Sequence, residues 1–339
     1  MCRIRTHRAN ARQSHCRRCI ARRCRRHSSS LPTVAADPSS ISLTPDEMAE
    51  EAEDATMNLV TYHHQTGQTT DWTYTPSPVS AQAQSAGGIR ISPSYTPDGL
   101  QDGGTGVTRA LVEDWNPVNV QASPYSYVVS LSIWFDTNND NISQLSEKHS
   151  ATGYMIGPDV MLTAGHSMYD DDSRTYPKSV TVSIKTDRTG SAGSYYPINT
   201  IFSTMYIDRG DIEYDWAIVL LNDNVAAQTG YFGIGTTPGS MNGRAVSISG
   251  YSFVESQGDI QRVCAGSITD SSTRRIEHNI QTRVGHSGSP IYSAIDKIAW
   301  GIHTHGDGIG ANPSGIRFTA GLYEIICEKI DEGRVRYND

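Results

Sequence analysis

Cysteine is scarce in the greater part of this chain. Of the 6 cysteines among 339 residues, four lie within the first 30 positions, at Cys2, Cys16, Cys19 and Cys24. The remainder has only Cys264 and Cys327, which are too few for the disulfide-dense scaffold of a small secreted domain. The spacing of these two leaves open whether they form a bridge, because a disulfide depends on the geometry of the fold.

Long hydrophobic runs are also absent. The longest apolar stretches, around positions 127–135 and 216–221, fall far short of the roughly 20 residues that a membrane-spanning helix needs. We therefore predict no transmembrane segment and no membrane partner. A secretory signal needs an apolar core of about 7–15 residues, and neither residues 1–30 nor Leu31–Ala36 supplies one. The residues by themselves give no sign of export.

Positive charge is concentrated at the amino terminus. The formal net charge is -8, yet ten arginines crowd the start of the chain, at Arg3, Arg5, Arg8, Arg12, Arg17, Arg18, Arg22, Arg23, Arg25 and Arg26. The rest of the chain is therefore more acidic than the total suggests, which argues against nucleic acid as its main partner. No aromatic residue interleaves with these arginines, as single-strand binding would favour.

The basic head, residues 1–30, has no apolar periodicity. Cys16-x-x-Cys19 has further cysteine and histidine residues nearby, which suggests zinc, but the spacing matches no complete ligand set. We predict a disordered tail or a misassigned start codon here, and no metal site.

Residues 31–109 read as a pro-region. Thr44-Pro45-Asp46-Glu47 has a capping threonine, a proline at the first helical position and a glutamate placed for a capping box, which predicts a helix to about Val60. Residues 61–109 are then rich in Ser, Thr, Gly, Pro and Gln, the composition of a linker or loosely folded segment. The alternative is an ordinary disordered extension that needs no processing.

From about Ser123 the pattern changes to short apolar or alternating runs separated by turn residues. These runs predict a β-sandwich or β-barrel, not repeated strand-helix units. They are Tyr127–Phe135, Gly153–Ile156, Val160–Ala164, Val180–Ile184, Trp216–Leu221, Ala245–Tyr251 and Ala299–His303. Leu322–Ile330 indicates a closing helix. The polar stretch Asp136–Asn141 resembles the start of a calcium loop but has no glycine after Asp140, so we favour a hairpin turn and leave calcium as the alternative.

The stretch Gly285-His286-Ser287-Gly288-Ser289-Pro290 is the first chemical candidate. Closely spaced glycines followed by proline predict a tight, exposed loop in which backbone N–H groups converge beside a hydroxyl. This geometry suits an acyl-transfer nucleophile, although such a string can also be a plain hairpin loop. A serine hydroxyl needs a histidine base and a carboxylate that orients the base.

Both partners occur upstream. Leu162-Thr163-Ala164-Gly165-His166 ends a predicted strand in small residues that present an imidazole, which can titrate near neutrality. Asp215 stands at the mouth of the apolar run Trp216–Leu221, where a buried carboxylate requires a partner such as the ring N–H of His166. His166 alone can equally be a structural core histidine, and Asp208 and Asp211 are alternative carboxylates in a polar turn.

Together the Thr-Ala-Gly-His, Asp-x-Ala-Ile and Gly-x-Ser-Gly-Ser-Pro motifs, in the order His166, Asp215, Ser287, resemble those of chymotrypsin-like serine proteases. The resemblance covers about residues 110–339 and implies an all-β, double β-barrel fold with a closing helix and the site between the barrels. Within that superfamily the chain is similar to the glutamyl endopeptidases. Supporting strings are Gly153–Pro158, Tyr231–Gly233 and Val246–Tyr251.

The resemblance implies a role for each residue. Ser287 attacks the scissile carbonyl, His166 takes and returns the proton, and Asp215 fixes the tautomer of His166. The N–H groups of Gly285 and Ser287 form the oxyanion hole. Ser289 is expected to be only a turn residue.

The resemblance also indicates a specificity pocket for a carboxylate. His303 matches the histidine that lines the primary pocket of glutamyl endopeptidases, and Thr282 matches the threonine at its base. Imidazole and hydroxyl groups can both donate to a carboxylate, and charge-assisted hydrogen bonds are strong. The alternative for His303 is a buried structural histidine. Thr304–Gly306 is expected to pair with the substrate as an added strand, while His286 and His305 are read as surface residues.

Two departures from the family pattern matter. Ala151 and Ser167 occupy the positions of a disulfide that some relatives carry around the catalytic histidine, so both halves are missing together. His286 replaces the aspartate before the nucleophile that would pair with a new amino terminus. In this family the freed terminal amine can instead help to neutralise the pocket, which predicts cleavage near Arg109–Leu111.

Three functions remain in view at this stage. The leading one is a secreted, cofactor-free and metal-free monomeric endopeptidase that cuts proteins or peptides after glutamate and less well after aspartate. The second is a protease of the same fold with another specificity. The third is a catalytically silent binding or adhesion protein. The presence of all three groups, His166, Asp215 and Ser287, counts against this third function.

Overall fold

The computed structural model describes residues 56–76, 89–103, 115–252, 260–306 and 312–338. The basic head with its four cysteines, the helix start at Thr44 and the predicted cleavage site at Arg109–Leu111 lie outside these residues. In the described part, no helix is both long enough and apolar enough to cross a membrane.

Strands make up most of the regular structure in the described residues. They are β1 (Met57–His63), β2 (Gln68–Tyr74), β3 (Arg90–Ser92), β4 (Gln101–Asp102), β5 (Asn116–Pro117), β6 (Ala122–Ser123), β7 (Val128–Trp134), β8 (Lys148–Met155), β9 (Val160–Thr163), β10 (Ser179–Ile184), β11 (Gly193–Tyr195), β12 (Pro197–Ser203), β13 (Ala217–Leu221), β14 (Gly233–Thr236), β15 (Ala245–Ser252), β16 (Ile260–Ser271), β17 (Arg275–His278), β18 (Pro290–Ser293), β19 (Ile298–His305) and β20 (Ser314–Arg317). The α-helices are α1 (Thr204–Arg209), α2 (Ala226–Thr229) and α3 (Ala320–Tyr337).

Two large sheets organise these strands. The first has the order β11-β10-β7-β8-β9-β13-β12-β1-β2, and the second has the order β18-β15-β16-β17-β20-β19-β14-β3, with β18 also paired to β19. Most pairs are antiparallel, as hairpin-connected strands favour. The predicted all-β architecture is confirmed.

Each predicted run coincides largely with a strand, although end residues such as Tyr127, Phe135 and Trp216 lie just outside. Burial explains the match. All five residues of β13 are buried because this strand lies between β9 and β12 in the first sheet. Such a strand reads as a continuous apolar run and does not alternate. The strands extend beyond several predicted runs, as in β8, which begins at Lys148 with three exposed residues that carry no apolar signal.

The predicted closing helix is α3, which is longer than the run Leu322–Ile330. The side chain of Thr319 accepts a hydrogen bond from the N–H of Leu322 and caps its start. Asn338, at a φ of 55°, ends it in the left-handed region that asparagine tolerates. Helix residues at a spacing of three and four, Leu322, Ile325, Ile326 and Ile330, join a buried cluster that includes residues of both sheets.

The prediction for residues 44–109 is wrong in part. Met57–Val60, assigned to the end of a helix, belongs to β1. Residues 61–109, assigned to a loosely folded linker, contain the rest of β1 together with β2, β3 and β4. Capping signals are local, whereas β1 is held by antiparallel pairing with β12, nearly 140 residues further on. Whether this region is a pro-region stays a prediction.

The structure bears on two features that the sequence left open. Cys264 is buried, and both it and Cys327 are free thiols. The polar stretch after β7 forms a turn in which Asn141 has a φ of 58° and donates its N–H to the carboxylate of Asp136. Among the described residues, no group of three His, Cys, Asp or Glu side chains is placed to hold a metal ion.

Candidate active site

His166 lies immediately after β9, in a short 3₁₀ turn formed by Gly165–Ser167. A Cβ atom at position 165 would lie 3.0 Å from a carboxylate oxygen of Asp215 and 3.1 Å from the backbone nitrogen of Trp216. A side chain at 165 would therefore force a small shift of its neighbours, because the turn passes against the segment that leads into β13. The small residues of this stretch place the imidazole next to Asp215.

Asp215 is 1% exposed and holds His166 at two points. Its Oδ1 accepts the backbone N–H of His166 at 2.8 Å, and its Oδ2 lies 2.7 Å from Nδ1 of the ring. A carboxylate in this position makes Nδ1 the protonated nitrogen and leaves Nε2 as the base. Asp208 is exposed and Asp211 caps the 3₁₀ turn Ile212–Tyr214, so neither takes this place.

The two partners shift each other's pKa. Burial lowers the pKa of His166, but the charge of Asp215 and its hydrogen bond outweigh burial and leave that pKa above its usual value. Burial raises the pKa of Asp215, and the charge and hydrogen bonds of His166 more than reverse this. The pair therefore favours an ionised aspartate beside a basic imidazole.

Ser287 lies in a turn between the ends of β17 and β18. Gly285 and Gly288 have φ values of 98° and 86°, a region in which other residues are strained. A side chain at 288 would also overlap the carbonyl of Thr152. The loop is fixed to β8 because the N–H of Thr152 donates to the carbonyl of Ser287 at 2.9 Å and its hydroxyl donates to the carbonyl of Gly285 at 2.8 Å.

The loop leaves two donors unused. Within the described part of the chain, the N–H groups of Gly285 and Ser287 have no hydrogen-bond acceptor. The Ser287 hydroxyl donates only a long bond, 3.5 Å, to the carbonyl of Thr304. A serine hydroxyl in the same loop as two free N–H groups is an arrangement that can bind an oxyanion intermediate.

One cleft of about 660 Å³ brings most of the predicted residues together. It is lined by His166, Thr282, Gly285, Ser287, His303 and Gly306. Sequence reasoning assigned no place in the cleft to Ile133, His149, Ser150 and Ala151, which line it as well. Thr304 does not line the cleft; it is 3% exposed and contacts Ser287 through its carbonyl.

His303 is hydrogen-bonded directly to the loop that carries Ser287. Its N–H donates to the carbonyl of Ser289, and its carbonyl accepts the N–H of Gly288, both at 2.8 Å. The side chain is 2% exposed. Burial, together with the neighbouring histidines, holds the pKa of His303 well below its usual value, so the ring is neutral at pH 7.

His278 on β17 determines which nitrogen of His303 carries the proton. The N–H of Ile280 donates to Nδ1 of His278 at 3.3 Å, which leaves the proton of His278 on Nε2. That Nε2 lies 3.2 Å from Nδ1 of His303 and donates to it. His303 is then protonated on Nε2, an assignment that follows from the hydrogen-bond network. No local motif marks His278, because the pairing depends on strands β17, β20 and β19 lying side by side.

Thr282 supplies a second donor. Its Oγ1 is enclosed and has no hydrogen-bond partner among the described residues. A Cβ on Gly306 would lie 3.1 Å from this hydroxyl, so the chain opposite Thr282 has no room for a larger residue without a shift. Buried hydroxyls normally have partners, and an unpaired one on the wall of a cleft is available to a ligand.

The prediction that His286 is a surface residue is wrong. His286 is 0% exposed and stacks on Trp115, with ring centroids 3.9 Å apart. Its Nδ1 accepts the N–H of Arg283 at 3.0 Å, and the indole N–H of Trp115 donates to the carbonyl of Gln281 at 2.6 Å. These contacts hold the loop that carries Ser287 in place. Trp115, which supplies two of them, lies outside every predicted motif.

His305 does lie at the surface, with 43% of its side chain exposed, but it is close to Asp215. Its Nδ1 lies 4.0 Å from Oδ2 of Asp215 and 2.8 Å from the hydroxyl of Thr304. Burial lowers the pKa of His305, and Asp215 partly opposes this. The hydroxyl of Thr304 thus orients His305.

We expect the buried histidines to make the protein acid-sensitive. Burial lowers the pKa of His278 to about 4 and that of His286 to about 3. An unfolded chain binds protons at these sites below about pH 6.5, whereas the folded chain does so only near pH 4 at His278 and near pH 3 at His286. Stability therefore falls as pH drops from about 6.5 to about 4.5, by on the order of 3 kcal/mol for each site at most.

Urea unfolding of an inactive variant at pH 7 and pH 4.5 measures this. His166 opposes part of this loss, because its raised pKa lets the folded chain bind a proton at this site at a higher pH than the unfolded chain does. The His278→Gln variant should show a smaller difference between the two pH values. An equal free energy of unfolding at both pH values in the parent would contradict the prediction.

Comparison with known proteins shows which family the chain resembles. A family model described as Trypsin matches residues 118–322, more than half of the chain. The chain is 33% identical over 179 residues to a protein of Bacillus licheniformis named Glutamyl endopeptidase, covering 51% of each. It is 28% identical over 193 residues to an Extracellular metalloprotease of Bacillus subtilis, covering 54% of this chain and 57% of the relative. The matches thus span about half the length of each relative.

A solved structure described as Glu endopeptidase in complex with MPD is similar over a longer range. The TM-score is 0.56 at 26% identity, and the match covers 65% of this chain and 99% of the other. The chymotrypsin-like fold class is confirmed. Nearly all of that structure has a counterpart here, while about a third of this chain has none in it.

Proposed function

Because this chain belongs to the trypsin family of serine endopeptidases, we propose that it hydrolyses peptide bonds after glutamate through Ser287, His166 and Asp215. Hydrolysis after aspartate is slower. The observation that carries the specificity is a pair of neutral donors on one wall of the cleft, His303 and Thr282, of which the Thr282 hydroxyl has no partner in the described residues.

The chemistry has two halves. Ser287 Oγ attacks the scissile carbonyl carbon, and Nε2 of His166 takes the hydroxyl proton. The N–H groups of Gly285 and Ser287 stabilise the oxyanion, an interaction worth about 3 kcal/mol per donor in related cases. The C–N bond then breaks as His166 gives the proton to the leaving amine. Water repeats these steps on the acyl-enzyme and restores the serine.

Asp215 supports this cycle by keeping the proton of neutral His166 on Nδ1. It also stabilises the imidazolium that forms when Ser287 loses its proton. The two hydrogen bonds from His166 to the Asp215 carboxylate, at 2.8 and 2.7 Å, support that role. His305, 4.0 Å from the same carboxylate, adds to the electrostatic environment of Asp215 without replacing His166.

The pocket recognises charge without carrying a fixed countercharge of its own. His303 is neutral and donates from Nε2, because His278 occupies its Nδ1. Thr282 adds a hydroxyl donor, and a hydrogen bond to a charged group is worth about 1.5–3 kcal/mol. Arg283, exposed at the rim, attracts acidic substrates over a longer distance. Aspartate is one methylene shorter than glutamate and reaches these donors less well.

A matched peptide panel tests the proposal. Four peptides differ only in Glu, Gln, Lys or Phe before the scissile bond, and kcat/KM is measured for each. We expect Glu to exceed Gln by at least about 100-fold, which two charge-assisted hydrogen bonds can supply. The Thr282→Val variant should lose about 10- to 100-fold on the Glu peptide and little on the others.

Thr181→Val serves as the control, since Thr181 is a half-buried threonine of β10 that does not line the cleft. It should behave like the parent. Faster cleavage after Lys or Phe would overturn the pocket assignment while sparing the relay. An unchanged Glu preference in Thr282→Val would overturn the role of that hydroxyl.

We extend the proposal to where the protein acts and on what. It is a secreted monomer that needs no cofactor and cuts proteins or peptides with acidic residues. Similarity to a relative named as extracellular supports the location. The acidic character of the chain outside its arginine-rich start argues against nucleic acid as a partner.

A further inference from the structure

Residues 56–76 and 89–103, here called the N-terminal belt, precede the residues that match the family model, 118–322. The belt is built into both large sheets. Strand β1 pairs with β12 from Leu59↔Ser203 to His63↔Asn199 and with β2 along its whole length, while β3 pairs with β14. A single segment therefore spans the two sheets that form the protease body.

Strand β1 is buried on both of its faces. Leu59 and Val60 are adjacent, so their side chains point to opposite faces, and they are 0% and 4% exposed. Leu59 joins the cluster beneath α3, which includes Ile326, whereas Val60 joins the core of the first sheet, which includes Phe202. A strand that contributes to two cores is an interior element of the fold.

Polar contacts reinforce the packing. Arg90 pairs with Glu324 of α3 at 2.5 Å, and both side chains are largely buried. His64 Nε2 lies 2.8 Å from the hydroxyl of Thr200 on β12. Tyr95 and Tyr231 exchange backbone hydrogen bonds in both directions, at 3.0 and 2.9 Å. Loss of the belt would leave the Glu324 carboxylate buried without Arg90 and would expose the edge of β12.

The N-terminal belt lies outside the active-site cleft. Among the described residues that line the active-site cleft, the first in the chain is Ile133, so no belt residue takes part in the cleft wall. Release of the belt would therefore not uncover Ser287 or His166.

We propose that the N-terminal belt is a permanent part of the folded protease and remains bound, as added strands, when the chain is cut between residues 103 and 115. The partner of the belt is the body of this same chain. A molecule cut between residues 103 and 115 is then a two-chain enzyme. Any effect of the cut comes from the new chain end, since the N-terminal belt stays in place. This proposal rests on the fold and is independent of the substrate specificity.

The test uses the full chain with Ser287→Ala, which prevents self-digestion. Residues 104–114 are replaced by the recognition sequence of a site-specific protease, and the chain is cut and passed over a size-exclusion column. We expect both pieces to elute together at the mass of the uncut chain and to separate only in denaturant. The Tm of the cut protein should lie within about 3 °C of the uncut one. An N-terminal piece that elutes alone, from a body that keeps its Tm, would overturn the proposal.

Matched variants locate the contact. In the cut chain, Leu59→Asp should release the N-terminal piece, whereas Asn58→Asp, one residue away and exposed, should not. Arg90→Gln is a milder second variant, expected to release the piece at a lower urea concentration than Asn58→Asp does. Retention of the piece by Leu59→Asp and Arg90→Gln at the same urea concentration as Asn58→Asp would contradict the proposed binding mode.

Discussion

Replacement of Ser287 by alanine is expected to lower kcat/KM for a Glu peptide by about a million-fold, the scale seen when the nucleophile of a comparable relay is removed. Ser287 lines the same cleft as His166, and no other group in the proposed mechanism can form the acyl bond. Stability should change little, because the serine side chain makes only one long hydrogen bond in the described structure.

Ser289→Ala is the matched control for that experiment. Ser289 lies two residues further on in the same motif, is 0% exposed, and has a hydroxyl without a hydrogen-bond partner in the described residues. Removal of such a hydroxyl should change kcat/KM by no more than about threefold, since no bond is lost. A large loss in Ser289→Ala together with an active Ser287→Ala would reverse the assignment of the nucleophile.

Asp215→Asn is expected to lower kcat by about ten-thousand-fold, because an amide favours the wrong tautomer of the histidine. The asparagine NH₂ group would donate to Nδ1 of His166, which would move the ring proton to Nε2 and leave no base facing Ser287. The pKa of His166 should also fall, since burial would act without the charge of Asp215.

The pH dependence of activity distinguishes a role of Asp215 in setting the pKa and tautomer of His166 from a purely structural role. In the parent, activity should fall as pH drops through the raised pKa of His166, because only the neutral imidazole accepts the serine proton. In Asp215→Asn the residual activity should fall at a lower pH. Asp208→Asn is the control, as Asp208 is exposed and lies on α1 near the same segment. An unshifted acidic limb in Asp215→Asn would count against the relay.

The sequence predicted the features that local signals encode. Short apolar runs such as 160–164 and 216–221 largely form central strands, because burial on both faces demands apolar residues in succession. Ser287, His166 and Asp215 each lie in a short motif whose glycines and flanking apolar residues reflect local geometry. The structure places His166 and Ser287 in one cleft and Asp215 within hydrogen-bond distance of His166.

The features that local signals missed depend on contacts between distant parts of the chain. His278 orients His303 only because β17, β20 and β19 are neighbours in the sheet. His286 looks like a loop residue until Trp115, more than 160 residues earlier, covers it. Met57–Val60 follows a helix-capping motif, yet pairing with β12 makes it a strand. Tertiary contacts overrode the local preference in each of these cases.

One labelling experiment tests the nucleophile and the pocket together. The protein is incubated with two peptidyl phosphonate esters that differ only in carrying a glutamate or a lysine side chain next to phosphorus, and the modified peptide is located by mass spectrometry. We predict a covalent adduct on Ser287 with the glutamate reagent and almost none with the lysine reagent. An adduct on another residue, or faster labelling by the lysine reagent, would contradict a serine relay beside a carboxylate-binding pocket.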